Sequence, residues 1–476
     1  MTIQLSLQDL TTTAPLVLVA AAALLVLLVD ALVRRSAVLV YWLTVAGFAG
    51  AIVVALAGLQ PAGTAYSGMI STGGFSNFFA ALFSGAGLLA MLLSHGYVSK
   101  EGLPPGEYSA LLLLSVVGMM LMAGAMDLVI FFLGLELMSV CFYVLAGLAR
   151  RRATSNEASL KYFLLGAFAT GFLLYGIALL YGATGTTNID GIVSGAGAHV
   201  QSPMFLIGLA LLLVGLAFKV AAVPFHMWAP DVYEGAPTPI SGFMSTGGKA
   251  AAFSVFLLVF APRLINVVGE LRTVLAVLAA LSMVVGNVVA VAQSNVKRML
   301  AYSSIAHAGY ILTGILAGNA TGANGVAFYL AAYTVMNLGA FGVIAMLEGP
   351  EGRNLTFEEY AGLGSRQPAV ALLMAVFMFS LAGVPPFAGF FGKYYVFAGA
   401  VEGGFTWLAI LGVLMSVVSA YYYLRLVVMM YFKEQAGGQP VGVTPLAYAG
   451  LVLSAVALLV LGLYPSALLN LTTIFF

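Results

Sequence analysis

Charge is what this sequence has least of. Of its 476 residues only 7% are Asp, Glu, Lys or Arg, while 62% are hydrophobic. A soluble domain carries about 25% charged residues, and no soluble fold has core enough to hide this much apolar surface. The chain is therefore expected to be an all-α polytopic membrane protein. Cysteine is almost absent. A lone Cys141 excludes an internal disulfide, a Cys-rich zinc site and an Fe–S cluster held by this chain's own thiolates. Histidine is scarce and scattered, at His95, His199, His226 and His307, with His199 read as a loop residue. No two histidines sit on adjacent helix turns as paired axial ligands would, and no Gly-rich turn opens a strand–helix unit that would hold a dinucleotide. Neither a metal site nor a cofactor is expected in this chain. The net charge of +1 leaves no nucleic-acid footprint. Glycine, by contrast, is abundant at 55 residues, roughly 12% against a usual ~7%. Close helix packing in lipid uses small residues in this way.

A membrane helix needs about 20 largely apolar residues. That ruler predicts about 14 spans, at 14–33, 38–59, 75–97, 108–125, 127–148, 157–182, 204–226, 239–261, 270–292, 298–317, 323–347, 368–402, 406–432 and 443–465. Connections are short, so residues 1–476 read as a single integral membrane domain. Loop charge sets orientation. The odd-numbered loops hold Arg34, Arg35, Lys100, Arg150, Arg151, Arg152, Lys297, Arg298, Arg353, Arg366 and Lys433, and the even-numbered loops only Arg263 and Arg272. The odd loops are expected to face the cytoplasm, with both termini outside. The first span has no basic residue before it and two directly after it, which reads as an uncleaved span rather than a signal peptide.

Two segments repeat. Ser139 to Gly147 lies over Ala306 to Gly314 with Tyr, Leu and Gly in step, at an offset of 167 that also places Tyr162 on Tyr329. Phe218-Lys-Val-Ala-Ala-Val-Pro224 lies over Phe379-Ser-Leu-Ala-Gly-Val-Pro385. The pairing joins spans 5, 6 and 7 to spans 10, 11 and 12. Five is an odd number, so the two copies, 108–261 (spans 4–8) and 270–432 (spans 9–13), would insert with opposite orientation. Inverted repeats with interrupted helices in matching positions characterise transporters. The prolines have a mechanical meaning: each removes the hydrogen bond to the carbonyl four residues back. Pro224 frees the carbonyl of Val220, and Pro385 and Pro386 free those of Leu381 and Ala382. Free carbonyls at membrane depth must be buried in protein or face water, so helices 7 and 12 are expected to be broken there, beside hydrated pockets.

The remaining charges lie inside spans. Glu136 and Lys249 are mid-span, Lys219 and Lys393 flank the two breaks, Lys161 is one turn into span 6 and His307 lies within span 10. A charge at the bilayer centre costs at least ~2.5–3.5 kcal/mol on insertion scales, so several together point to an ion or proton path. A purely structural ion pair is the bland reading of Glu136, Lys219 and Lys249. Lys161 and Arg425 have another: their side chains reach back to the interface. His307 is equally a core histidine bonded to a carbonyl. Lysine suits proton transfer because desolvation favours the neutral amine while a neighbouring carboxylate favours the cation. Histidine fits because its unperturbed pKa lies near neutrality.

At these residues the chain resembles the antiporter-like membrane subunits of respiratory complex I, which are related to Mrp-type cation/proton antiporters. The resemblance covers nearly the whole chain. It rests on Gly134-Leu-Glu136-Leu-Met, Asn156-Glu-Ala-Ser-Leu-Lys161-Tyr-Phe, the long string from Phe218 through His226 and Trp228 to Pro239, and Leu381-Ala-Gly-Val-Pro-Pro-Phe-Ala-Gly-Phe-Phe-Gly-Lys393. The resemblance implies fourteen core helices, two inverted five-helix repeats and discontinuous helices 7 and 12. It implies that Glu136 and Lys219 are a span-5/span-7 pair, that Lys249 is the central span-8 lysine, that His226 lies at the span-7 break, and that Lys393 is the twelfth-span site. A lysine there, and a chain ending at Phe476 without a long lateral helix, point to one paralogue among the three of this family.

The expected function is one proton-translocating module of an NADH:quinone oxidoreductase in a bacterial inner membrane. Glu136, Lys219, Lys249, His307 and Lys393 would form the relay, with Lys161 and His226 as secondary candidates. FMN, Fe–S clusters and quinone are expected in partner subunits of the complex. An Mrp-type Na⁺/H⁺ antiporter subunit is one rival, and a structural membrane subunit without its own proton path is another.

Overall fold

The computed structural model describes residues 6–60, 62–349, 355–434 and 444–472. Arg353 and Phe476 lie outside the described residues. In lipid every backbone polar group must be satisfied within the protein, which leaves continuous helices as the natural form for long apolar runs. Twelve helices among the described residues are long and apolar enough to span a membrane. They are α1 (Ala14–Leu32), α2 (Ala37–Ala57), α3 (Gly74–Leu93), α4 (Pro105–Gly124), α5 (Leu128–Ala146), α6 (Ala153–Thr184), α8 (Thr238–Phe260), α9 (Gly269–Val291), α10 (Val296–Leu316), α11 (Ala320–Leu347), α14 (Thr406–Phe432) and α15 (Pro445–Leu463). Between them lie two shorter apolar helices, α7 (Pro203–Lys219) and α12 (Pro368–Ala382). A further helix, α13 (Ala388–Glu402), follows α12 after a break.

The helix starts follow local chemistry. Proline, whose missing N–H is no loss in a first turn, opens α4, α7, α12 and α15. Asp127 caps α5 by accepting from Val129 N at 2.8 Å, and Asn295 caps α10 by accepting from Arg298 N at 3.1 Å. Both expected interruptions are present. α7 stops at Lys219 and the chain turns through Ala221, at φ 56°, before the short helix Trp228–Gly235. α12 stops at Ala382 and the chain turns at Gly383, at φ 88°.

Packing is layered. α8, α10 and α11 are 94% buried and form the centre, whereas α1, α6 and α14 are only 22–33% buried. α6 turns Leu160, Phe163, Leu164, Phe168, Phe172 and Tyr175 outward. Small residues set the closest contacts: a Cβ on Gly118 of α4 would lie 2.6 Å from Gly134 O of α5, and one on Gly134 would lie 2.7 Å from Gly118 O.

Four local features differ from the sequence expectation. The segment after α2 forms a small antiparallel hairpin, β1 (Gly63–Ala65) with β2 (Ile70–Thr72). His199 is not in a loop but in the last turn of the helix Ile189–His199. Two π-helical turns, Met244–Gly248 and Phe256–Phe260, interrupt α8. Lys297, read as a loop charge, is only 1% exposed, as is Glu348 at the end of α11.

Candidate functional site

Lys219, Lys249, His307 and Lys393 are all buried, between 1% and 5% exposed. Their partners are neutral. Lys219, the last residue of α7, donates to Ser139 Oγ on α5 at 2.7 Å and to Tyr143 Oη at 3.5 Å. The rings of Tyr143, Tyr162 and Phe218 surround its ammonium at 5.5–5.8 Å, a placement favoured by the negative ring faces. Glu136 lies one turn from Ser139 and accepts from Thr170 Oγ1 of α6 at 2.9 Å. The expected Glu136–Lys219 ion pair is not closed among the described residues; Lys219 is held by Ser139 instead. Glu136 is half-buried in the α5–α6 seam.

Lys249 follows directly on the first π-helical turn of α8, a distortion that recurs at functional sites. Its Nζ donates to Ser304 O of α10 at 2.6 Å. One turn on, His307 bonds Tyr329 Oη of α11 through Nδ1 at 2.7 Å and Tyr423 Oη of α14 through Nε2 at 3.1 Å. It is thus bonded to two phenols rather than to a carbonyl. Asn337 joins α11 to α8 by donating to Ser245 Oγ at 2.8 Å, and Tyr333 Oη lies 3.1 Å from the same amide.

Lys393 closes the second break. Its Nζ donates to Leu381 O at 3.1 Å, Ala382 O at 2.9 Å and Ser416 Oγ at 2.7 Å. The two carbonyls are those that Pro385 and Pro386 were expected to release. A Cβ on Gly383 would sit 3.1 Å from Lys393 Cδ, so the glycine leaves room for the lysine chain. At the first break Trp228 Nε1 takes Phe218 O at 2.9 Å. Lys393 lies 5.2 Å over the ring of Tyr310, as Lys219 lies over that of Tyr143, and these two tyrosines are the pair in step at the offset of 167. Pro224, Pro385 and Pro386 are exposed on the surface of the chain, so the breaks open outward as well as onto the lysines.

Between Lys219 and Lys249 the interior is apolar. Phe142 packs edge-on against Phe243 at 5.7 Å, and its ring would meet a Cβ on Gly248 at 2.7 Å. No side-chain hydrogen bond joins the two lysines among the described residues. The polar groups form two stretches: Lys219–Ser139 with Glu136 and Thr170, and Lys249 through His307 and the tyrosines towards Lys393.

The secondary candidates lie elsewhere. Lys161 is 41% exposed and pairs with Glu157 at 2.6 Å and Asp231 at 2.7 Å. His226 is half-buried at the first break. Arg425 packs its guanidinium 4.2 Å over the Phe357 ring and donates to Gln293 O at 3.2 Å. Lys161 belongs to an ion network built from the odd loops. Arg298 reaches Asp231 at 2.8 Å and Glu234 at 2.7 Å, and Arg152 reaches Glu101 at 2.6 Å and Glu348 at 2.7 Å. Thr238 Oγ1 donates to Glu348 at 2.6 Å. A vestibule of about 330 Å³, lined among others by Arg152, Lys161, Asp231 and Arg298, joins the two halves of the network. Burial pushes the Glu348 carboxyl up, but Lys297, the Thr238 hydroxyl and Arg152 outweigh it and hold it below the usual carboxylate range. Asp231 follows the same pattern, with Lys161 and Arg298 outweighing burial. Among the described residues no group of three or more His, Cys, Asp or Glu is placed to hold a metal.

A helical membrane bundle with two broken helices and buried lysines at the breaks defines an antiporter-like class of membrane subunit. Residues 125–419 match the family described as NADH:quinone oxidoreductase/Mrp antiporter, transmembrane region, and the chain belongs to this family. It is 49% identical over 462 residues to NADH-quinone oxidoreductase subunit N of Trichlorobacter lovleyi, covering 96% of this chain and 94% of that protein. Among solved structures it is similar to a chain of respiratory complex I from Thermus thermophilus with bound aureothin. That match has a TM-score of 0.83 at 38% identity, covering 96% of this chain and 99% of that one. A chain of an archaeal membrane-bound sulfane sulfur reductase matches with a TM-score of 0.85 at 27% identity, covering 97% and 96%. The relatives' subunit agrees with the paralogue to which Lys393 pointed.

Proposed function

We propose that the chain moves protons across the membrane as one subunit of an NADH:quinone oxidoreductase, in a bacterial inner membrane with both termini outside. The electron-transfer centres, flavin, Fe–S clusters and quinone, belong to partner chains. One observation carries this reading: every buried cation of the interior is held by hydroxyls, carbonyls or phenols, while the ion pairs stand outside that row. An unpaired buried charge is strongly destabilising, and desolvation favours the neutral amine of a lysine. A lysine among neutral acceptors can lose its proton without stranding an anion. Glu136, one turn from the Ser139 that holds Lys219 and not bonded to the lysine itself, would favour the loaded state. Lys249, His307 and Lys393 would continue the path through Tyr329, Tyr423 and Ser416. The apolar stretch at Phe142 would need transient water for the step from Lys219 to Lys249. The 108–261 and 270–432 halves would then work as inverted copies, each with a lysine over a tyrosine at its break.

The test is substitution of Lys219 or Lys249 by Ala in the intact complex, with proton uptake and quinone reduction followed in vesicles. Both variants should pump poorly, and normal pumping in both would overturn the path. Copurification separates the rivals: a flavin- and Fe–S-containing complex supports this reading, and a redox-free Na⁺/H⁺ exchanging complex supports the Mrp alternative.

A further inference from the structure

Two tyrosines stand in step at the two breaks, and they serve their lysines differently. Tyr143 turns its ring to Lys219 and also brings its hydroxyl to 3.5 Å from Nζ. Tyr310 turns only its ring to Lys393, at 5.2 Å, and among the described residues no hydrogen bond joins its hydroxyl to the lysine. That hydroxyl is engaged on the other side. Asn287 of α9, fully buried, donates through Nδ2 to Tyr310 Oη at 2.9 Å and to Met283 O at 2.7 Å. Its Oδ1 accepts from Tyr422 Oη of α14 at 2.9 Å. A backbone carbonyl only accepts, so the Met283 contact fixes which end of the amide is nitrogen. The residue that lies an offset of 167 before Asn287 is Met120 of α4, whose thioether has no N–H to give a phenol. The first half therefore lacks the group that holds the tyrosine hydroxyl in the second.

Tyr310 also meets His307, its ring lying edge-on to the imidazole at 5.6 Å and 85°. The side chain that Asn287 holds thus touches two groups of the proposed path. A buried hydroxyl without a partner costs its full desolvation, and the cation beside Tyr310 is Lys393. The three N–H groups of that ammonium already go to Leu381 O, Ala382 O and Ser416 Oγ. A phenol oxygen drawn to Lys393 would be a fourth acceptor competing for three donors. A ring face favours the cation and takes no proton from it. We propose that Asn287 is a positioning residue of the second half: by holding the Tyr310 hydroxyl, it keeps the ring rather than the phenol against Lys393. The lysine is then left to exchange its proton along the path proposed above, and the inference rests on that reading.

The test is made on the intact complex in vesicles, with proton pumping normalised to quinone reduction. Asn287→Met gives the second half the residue of the first and should lower normalised pumping about fivefold, as one stranded hydroxyl would. Adding Tyr310→Phe, which removes that hydroxyl and keeps the ring, should bring pumping back close to wild type; adding Tyr422→Phe instead should not. Wild-type pumping in Asn287→Met, or no recovery with Tyr310→Phe, would overturn the proposal. So would a lower melting temperature with unchanged normalised pumping, the mark of an asparagine that only supports the fold. Lys393→Ala in the same assay separates the inference from the reading beneath it. Impaired pumping there beside wild-type pumping in Asn287→Met defeats the inference alone, and wild-type pumping in Lys393→Ala defeats both. If Asn287→Met does not assemble, Tyr310→Phe and Tyr310→Leu decide: the variant that keeps the ring should pump normally and the one that loses it poorly, and equal losses would overturn the proposal.

Discussion

Arg152→Met offers the sharpest test of the packing scheme. Arg152 is 12% exposed and bonds two carboxylates, Glu101 at 2.6 Å and Glu348 at 2.7 Å; the Glu348 side chain is 1% exposed. Removing the guanidinium leaves Glu348 with the Thr238 hydroxyl and the field of Lys297. Breaking a buried pair by deleting one partner costs about 3–5 kcal/mol, because the survivor stays buried and charged. The remaining support of Lys297 places this case near the lower end, about 3 kcal/mol. Glu348→Gln added to Arg152→Met removes the stranded charge and should restore about 2 kcal/mol, so the double variant is more stable than the sum of the singles predicts. Thermal unfolding of the detergent-solubilised complex, followed by size-exclusion fluorescence, reads both effects. A shift within about 1 °C for Arg152→Met, or strictly additive singles and double, would refute the claim that this pair locks the odd-loop face.

Three further outcomes follow from the geometry. The folded-state values of Glu348 and Asp231 are held below their ordinary ones. The stability they contribute is therefore present above the usual carboxylate range and lost as pH falls through the lowered values. Melting curves should hold from neutral pH to about pH 4 and decline below it; a decline that starts near neutrality would contradict this. Gly118→Ala drives a methyl into the α5 backbone at 2.6 Å and should destabilise by about 1–3 kcal/mol, read as a lower melting temperature; an unchanged one would show that the α4–α5 contact is loose. Tyr423→Phe removes the partner of His307 Nε2 and should slow proton pumping about fivefold, the equivalent of about one hydrogen bond, without preventing assembly; wild-type pumping would remove Tyr423 from the path.

Span positions were legible because length and apolarity are both set by the bilayer: α1 to α6 and α8 to α11 begin and end within a few residues of the sequence expectation, while α7 stops at Lys219, short of the expected 226. The breaks were legible for a mechanical reason, since proline names the carbonyls it releases, and Lys393 binds two of them. What stayed hidden was partnership. Tyr143, Tyr310, Tyr329 and Tyr423 look like ordinary aromatic residues of apolar helices until the packing turns their hydroxyls inward. Of these, Tyr143, Tyr310 and Tyr329 did carry a signal, the repeat offset, which was read as topology rather than chemistry. Ser139 replaced Glu136 as the contact of Lys219 because side-chain reach is not visible in spacing alone. Lys297 and Arg152 read only as loop charges that set orientation, yet Lys297 is buried and Arg152 meets Glu348 across 196 residues, a pairing no local pattern encodes. The π-helical turn before Lys249 likewise leaves no periodic trace.

The proposed proton path rests on Lys249, the lysine that opens the second polar stretch, and the most direct measurement is the number of protons moved per electron. The ratio would be taken in vesicles for the intact complex carrying Lys249→Ala, with Lys161→Ala, which alters only the exposed ion network, as its counterpart. The account predicts a lower ratio for Lys249→Ala and a wild-type ratio for Lys161→Ala. An unchanged ratio for Lys249→Ala at normal assembly would contradict it.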